Sequence, residues 1–122
     1  CHWTARVRSS GGCPDVALLG LGADGHTASL FPGAEARLPA GGSAPVGPDL
    51  PGDAAAVYLP GEREWRLTLC PGFLNTARLA VFLAFGAEKR AALRRVLDSD
   101  PALPGSWIRA ATTLFIVTEE TA

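Results

Sequence analysis

Apolar and polar positions divide the chain into short apolar runs separated by turn-rich stretches. Asp15 to Gly20 reads DVALLG, a continuous apolar run ended by glycine, which predicts a strand buried on both faces of a parallel sheet. Leu79 to Phe85 (LAVFLAF) is the strongest signal of the same kind, with Gly86 as its stop. Thr113 to Thr118 predicts a last strand. Ala54 to Leu59 and Trp65 to Cys70 carry strand-forming residues on either side of the charged turn Pro60 to Glu64, and predict a hairpin.

Helical signals lie between these runs. Pro71 suits the first turn of a helix reaching about Arg78. Glu88 to Asp98 places Ala92, Leu93, Val96 and Leu97 on one face and Arg90, Arg94 and Arg95 largely elsewhere, the pattern of an amphipathic helix packed on a sheet. A short helical turn is expected around Trp107. Residues 32–53 are rich in Pro, Gly and Ala and read as a long loop, with one helical turn near Ala34 to Leu38; residues 1–13 read as irregular. Strands alternating with helices give an α/β class: a mainly parallel, Rossmann-like sheet flanked by helices.

Bulk properties narrow the function classes. At 122 residues the chain fits one domain, 1–122. A net charge of -1, from 11 basic and 12 acidic residues, gives no field to attract nucleic acid or an anionic membrane, so any bound anion must be held locally. Cys1, Cys13 and Cys70 are odd in number and lack CxxC spacing, which suggests neither a disulfide framework nor a zinc site. Without a long apolar run or a secretory leader pattern, the expected location is the cytoplasm. No metal and no cofactor are expected, and oligomeric state is not encoded legibly.

The chemistry concentrates in Gly20 to Gly33, GLGADGHTASLFPG. Gly20, Gly22 and Gly25 alone satisfy a dinucleotide-binding spacing, but Pro32 stops any following helix early and Asp49 lies in the Pro-rich stretch. A histidine in a glycine-rich loop after a buried strand sits where open α/β sheets place ligands. Neutral imidazole, with an ordinary pKa of about 6.5, can take a proton from water and return it to a leaving oxygen. Gly22 and Gly25 would let backbone N–H groups approach a ligand and steady a developing oxyanion, while Asp24 would orient His26. An isolated Asp-Gly-His has a plainer alternative, in which Asp24 caps a short helix and His26 is a polar loop residue.

The fourteen-residue string as a whole resembles the GxGxDGHxASLFPG segment of 6-phosphogluconolactonases. Arg66-Leu-Thr-Leu-Cys is similar to the family's RxTLT segment, Leu74-Asn75-Thr76-Ala77 to its LNxA, and Gly86-Ala-Glu-Lys89 to its GxxK. This resemblance implies hydrolysis of a small sugar-phosphate lactone, 6-phospho-D-glucono-1,5-lactone, in the pentose phosphate pathway, with His26 as base. It transfers phosphate binding to Arg66 and Lys89. Lys89 also follows the glycine ending a strand and opens a helix, whose N-terminal dipole favours an anion. Arg66, in a simple parallel reading, falls at the wrong end of its strand, and a hairpin with Ala54 to Leu59 would remove that conflict.

Departures from the family pattern shape the rival readings. The family's N-terminal half, with its SGGSTP-like phosphate loop, has no counterpart here, and the first residue is Cys1; the chain therefore reads as the C-terminal part of a larger single domain. Thr118 stands where the family usually has aspartate. The alternatives are an inactive fragment or a non-catalytic sugar-phosphate-binding module, and a glucosamine-6-phosphate deaminase-like isomerase. Phe31 occupies the place of that deaminase's glutamate, which favours the lactonase side. His2, the cysteines and Trp3, Trp65 and Trp107 read as structural, as does Asn75, which is expected to satisfy backbone groups near a helix.

Overall fold

A computed structural model describes residues 12–122 together with Arg6 and Ser9. The irregular leader expected over residues 1–13 lies largely outside them. Arg6 and Ser9 are helical, with the Ser9 hydroxyl donating to the Arg6 carbonyl at 2.8 Å.

Three apolar strands form a wholly parallel sheet in the order β1 (Val16–Gly20), β6 (Leu79–Ala84), β7 (Thr112–Val117). Register places Leu19 beside Phe82 and Phe82 beside Phe115, so these side chains share one face, and the two phenyl rings stack at 4.9 Å. That face joins a core with Leu93 and Val96 of helix α2 (Arg90–Leu97) and with Ile108. On the opposite face Val81 is buried at the centre, but its neighbours are not. Val16, Leu18, Leu83, Phe85, Leu114 and Ile116 are all exposed there, Leu18 by 69%. The expectation of burial on both faces is thus corrected for β1 and for Leu83 and Phe85 at the end of the second apolar run.

A second, antiparallel sheet has the order β3 (Ser43–Pro45), β2 (Glu35–Arg37), β4 (Ala54–Leu59), β5 (Glu64–Leu69). The β4–β5 hairpin matches the sequence reading, from Ala54 opposite Leu69 to Leu59 opposite Glu64. Strands β2 and β3 replace the expected loop, and Glu35–Arg37 is strand instead of a helical turn. The reason is tertiary: β2 pairs with β4, and Ala36 is fully buried opposite Val57. Ala36, Val57 and Leu59 join the same core cluster as the parallel sheet.

Two helical expectations also shift. Helix α1 is a single turn, Pro71–Leu74, since the Arg78 and Leu79 amides already bond the Pro14 and Asp15 carbonyls and draw the backbone alongside β1. In α2, Ala92, Leu93 and Val96 are buried as expected, but Leu97 is 58% exposed, lying past the edge of the buried arc at the helix end. The 3-10 turn Pro104–Trp107 stands where a short helical turn was expected.

Candidate active site

All three parallel strands deliver their C-terminal ends to one edge of the sheet, and the chemistry follows there. After β1 the chain folds into a tight loop. The Gly22 amide donates to the His26 carbonyl at 2.8 Å, and the Gly25 amide donates to the Gly22 carbonyl at 3.0 Å. Gly25 needs its glycine twice over: φ is +85°, and a Cβ would come within 2.6 Å of Leu103. The Gly105 amide donates to the Gly25 carbonyl at 2.9 Å, and the Thr27 hydroxyl donates to the Gly20 carbonyl at 2.8 Å. Both ends of the loop are therefore anchored to neighbouring structure.

Folding back in this way sets the His26 ring over Gly22. An added Cβ at Gly22 would collide with the imidazole Nδ1 and Cε1 and with Asp24 Oδ1. That Asp24 oxygen lies 2.5 Å from Nδ1 and accepts from the His26 backbone N–H at 3.0 Å. An ionised carboxylate can only accept, so Nδ1 carries the proton and Nε2 is left as the basic nitrogen. Burial pushes the Asp24 carboxyl up, but the hydrogen bonds from the His26 backbone and ring, with the attraction of the ring's charge, outweigh it and hold the group below its ordinary value. No helix follows that Asp24 could cap; Thr27 and Leu30 close a bridged turn instead.

Gly22 and Gly25, expected to let backbone N–H groups approach a ligand, do not offer their own amides for it. Both amides are spent inside the loop. What Gly22 provides is room for the Asp24–His26 pair, and what Gly25 provides is the turn.

Phe31 links the loop to the second sheet. Its ring stacks on the His26 imidazole, with centroids 4.3 Å apart and planes 24° from parallel, and the Arg66 guanidinium carbon lies 5.9 Å from the same ring's centroid. The hairpin resolves the Arg66 conflict, because β5 belongs to the antiparallel sheet and its Thr68 hydroxyl accepts the Ser29 amide at 3.1 Å, tying strand to loop. Arg66 is not idle. It pairs with Glu64 at 2.6 Å and with Glu62.

Lys89 sits in the 3-10 turn Ala87–Lys89, directly after β6, and makes no ion pair among the described residues. Its turn is pinned by a residue with a less expected role. The Thr118 hydroxyl accepts from the Gly86 amide at 3.2 Å, and the Thr121 hydroxyl donates to the Gly86 carbonyl at 3.0 Å. Thr121 has one hydroxyl proton, so in the 2.8 Å contact between the two threonines Thr118 is the donor. An ionised aspartate at 118 could not supply that proton.

Asn75 is structural, as the sequence reading had it: its amide donates to the Trp107 carbonyl at 3.0 Å and accepts from the Arg109 amide at 2.6 Å. Sequence reasoning missed Gly105, Thr121 and the stacking of Phe31. Each acts through contacts with residues distant in the chain or in another loop. Among the described residues no group of three or more His, Cys, Asp or Glu side chains could hold a metal ion. No described helix is long and apolar enough to cross a membrane.

With this geometry in place, the chain can be compared with known proteins. The family model described as glucosamine-6-phosphate isomerases/6-phosphogluconolactonase matches residues 3–116. The chain belongs to that family.

Among its relatives, a rat 6-phosphogluconolactonase is 36% identical over 102 residues, covering 80% of this chain and 35% of the relative. A Synechocystis 6-phosphogluconolactonase is 38% identical over 89 residues, covering 71% of this chain and 32% of the relative. The solved 6-phosphogluconolactonase of Thermotoga maritima superposes with a TM-score of 0.72 at 26% identity, over 96% of this chain and 49% of its own. A monomeric glucosamine-6-phosphate deaminase superposes at 0.71 with 20% identity, which extends the shared fold to that branch of the family. The chain thus spans about a third of the length of these curated relatives and about half of the solved ones.

Proposed function

We propose that this chain carries the general-base half of a 6-phosphogluconolactonase site, opening 6-phospho-D-glucono-1,5-lactone to 6-phospho-D-gluconate in the cytoplasm. The observation that carries the reading is the Asp24–His26 pair, with Nδ1 bound to the carboxylate and Nε2 left basic. The loop sequence supports the lactonase branch, since Phe31 stands where the deaminase-like loop has its glutamate.

In this reading Nε2 of His26 takes a proton from a water as its oxygen attacks the lactone carbonyl. The tetrahedral intermediate collapses with cleavage of the bond between the carbonyl carbon and the ring oxygen. The imidazolium then returns its proton to that ring oxygen, leaving a carboxylic acid and a free hydroxyl. Asp24 holds the productive tautomer and favours the imidazolium while it exists. Arg66 and Lys89 hold the phosphate, the first beside Phe31 and the second in the turn after β6. Gly22 and Gly25 act by shaping the loop.

The test is hydrolysis of the lactone, corrected for its spontaneous rate, by the wild-type chain and by His26→Gln. A general base is worth about 10²- to 10⁴-fold. A variant keeping more than about a tenth of the catalysed kcat would remove His26 from that role, and a wild-type chain without catalysis would remove the activity from the chain on its own.

A further inference from the structure

The His26 ring is held at Cγ by its bond to Cβ and at Nδ1 by the hydrogen bond it donates to Asp24. Two points do not orient a plane, and the imidazole can still tilt about the line joining them and carry Nε2 through an arc. Phe31 removes this freedom: its ring lies against the imidazole face at 4.3 Å between centroids and 24° between planes. Phe31 is itself held, being packed against the core beside the fully buried Leu30, with its carbonyl accepting the Ala34 amide at 3.3 Å. The ring also contacts Arg66, so base and cation lie within about 10 Å of each other across one phenyl group.

We propose that Phe31 is a positioning residue, whose ring sets the plane of His26 and the spacing between that base and Arg66. The assignment rests on the lactonase reading for its catalytic consequence, but its structural content does not depend on turnover. An aliphatic side chain of similar volume would fill the space without presenting a flat face. Phe31→Tyr keeps the face and is the conservative control; Phe31→Leu and Phe31→Met remove it.

The experiment follows the His26 ring by NMR in the full chain, with His2→Gln to assign the two histidines, alongside lactone hydrolysis. In the wild type the His26 carbon-bound ring protons are expected upfield, shifted by the phenyl current, and cross-relaxing with Phe31. Phe31→Leu and Phe31→Met should move those signals downfield and lower kcat roughly tenfold or more, while Phe31→Tyr keeps both. Unmoved ring signals and unchanged kcat in the folded aliphatic variants would overturn the proposal. If those variants do not fold, the wild-type cross-relaxation decides, and its absence overturns the assignment. A wild-type chain with stacked rings and no turnover would sink the lactonase reading while leaving the positioning of His26 by Phe31 in place.

Discussion

The space that a side chain on Gly22 would take is filled by the imidazole of His26. Gly22 has no left-handed backbone angle, so alanine there meets a collision and no conformational penalty. Gly22→Ala is therefore expected to leave the fold intact and push the Asp24–His26 pair aside. Displacements of about 1 Å at a catalytic group can cost about 10²-fold in rate. Kinetics alongside a thermal melt would check this: a melt near wild type with kcat down by at least about tenfold is the expected result, and an unchanged kcat would refute the steric role.

Asp24 gives a pH prediction whose sign follows from its depressed pKa. Its carboxyl ionises below the ordinary value of about 4, so its contribution to stability is present above that value and is lost as pH falls through the folded-state value. Wild type should lose stability relative to Asp24→Asn as acid is added below about pH 4. Denaturant melts from pH 2 to 7 would measure it. Parallel curves throughout that range would contradict the pairing.

The Gly86 turn provides a third test, because its carbonyl accepts both from the Lys89 amide, at 3.1 Å, and from the hydroxyl of the fully buried Thr121. Thr121→Val keeps the shape and removes the only proton that this hydroxyl can offer. The carbonyl keeps the Lys89 amide, so the expected loss is that of one hydrogen bond, about 0.5–1.5 kcal/mol. A chemical melt should show a loss in that range, and an unchanged melt would mean that the Thr121 hydroxyl does not hold the turn.

How much of this was legible beforehand differs between the two sheets. The parallel strands stood out because Val16 to Leu19 and Leu79 to Ala84 are apolar without interruption. Strands β2 and β3 were illegible: three residues each, set among Pro and Gly, they hold their form by pairing with β4 and with each other. Within the site, His26 and Asp24 were readable from one contiguous string. The support from Gly105 was not, since that residue is 80 positions from Gly25 and its need for glycine comes from Val96 and Leu21 packing against it. Burial of the sheet on both faces was an inference from apolar runs alone, and such runs carry no information on whether a second layer is present.

That partly exposed face makes its own prediction. Six apolar side chains on one side of three strands form the kind of patch that binds hydrophobic dyes. The wild-type chain should enhance the fluorescence of such a dye at neutral pH, and Leu18→Lys should reduce the signal with little effect on the melt, because Leu18 is already mostly in water. Dye binding unaffected by the substitution would place the patch elsewhere.

Arg66 carries the last prediction, because its guanidinium is already engaged. Glu64 accepts from Nε at 2.6 Å and Glu62 accepts from Nη2, so an incoming phosphate meets a cation whose field is partly cancelled by two carboxylates. Both glutamates are about half exposed, and pairs of this kind are weak and screened by salt. Removing their charge should therefore free Arg66 without disturbing β5. Glu62→Gln with Glu64→Gln is expected to tighten binding of 6-phosphogluconate or inorganic phosphate by a few-fold at low ionic strength, and the gain should fade as salt rises. Arg66→Gln should weaken the same binding, and adding it to the double variant should abolish the gain. Calorimetric titration at two salt concentrations separates the outcomes. If neutralising both carboxylates leaves phosphate affinity unchanged, the anion does not contact Arg66 and the phosphate must be sought at Lys89 alone.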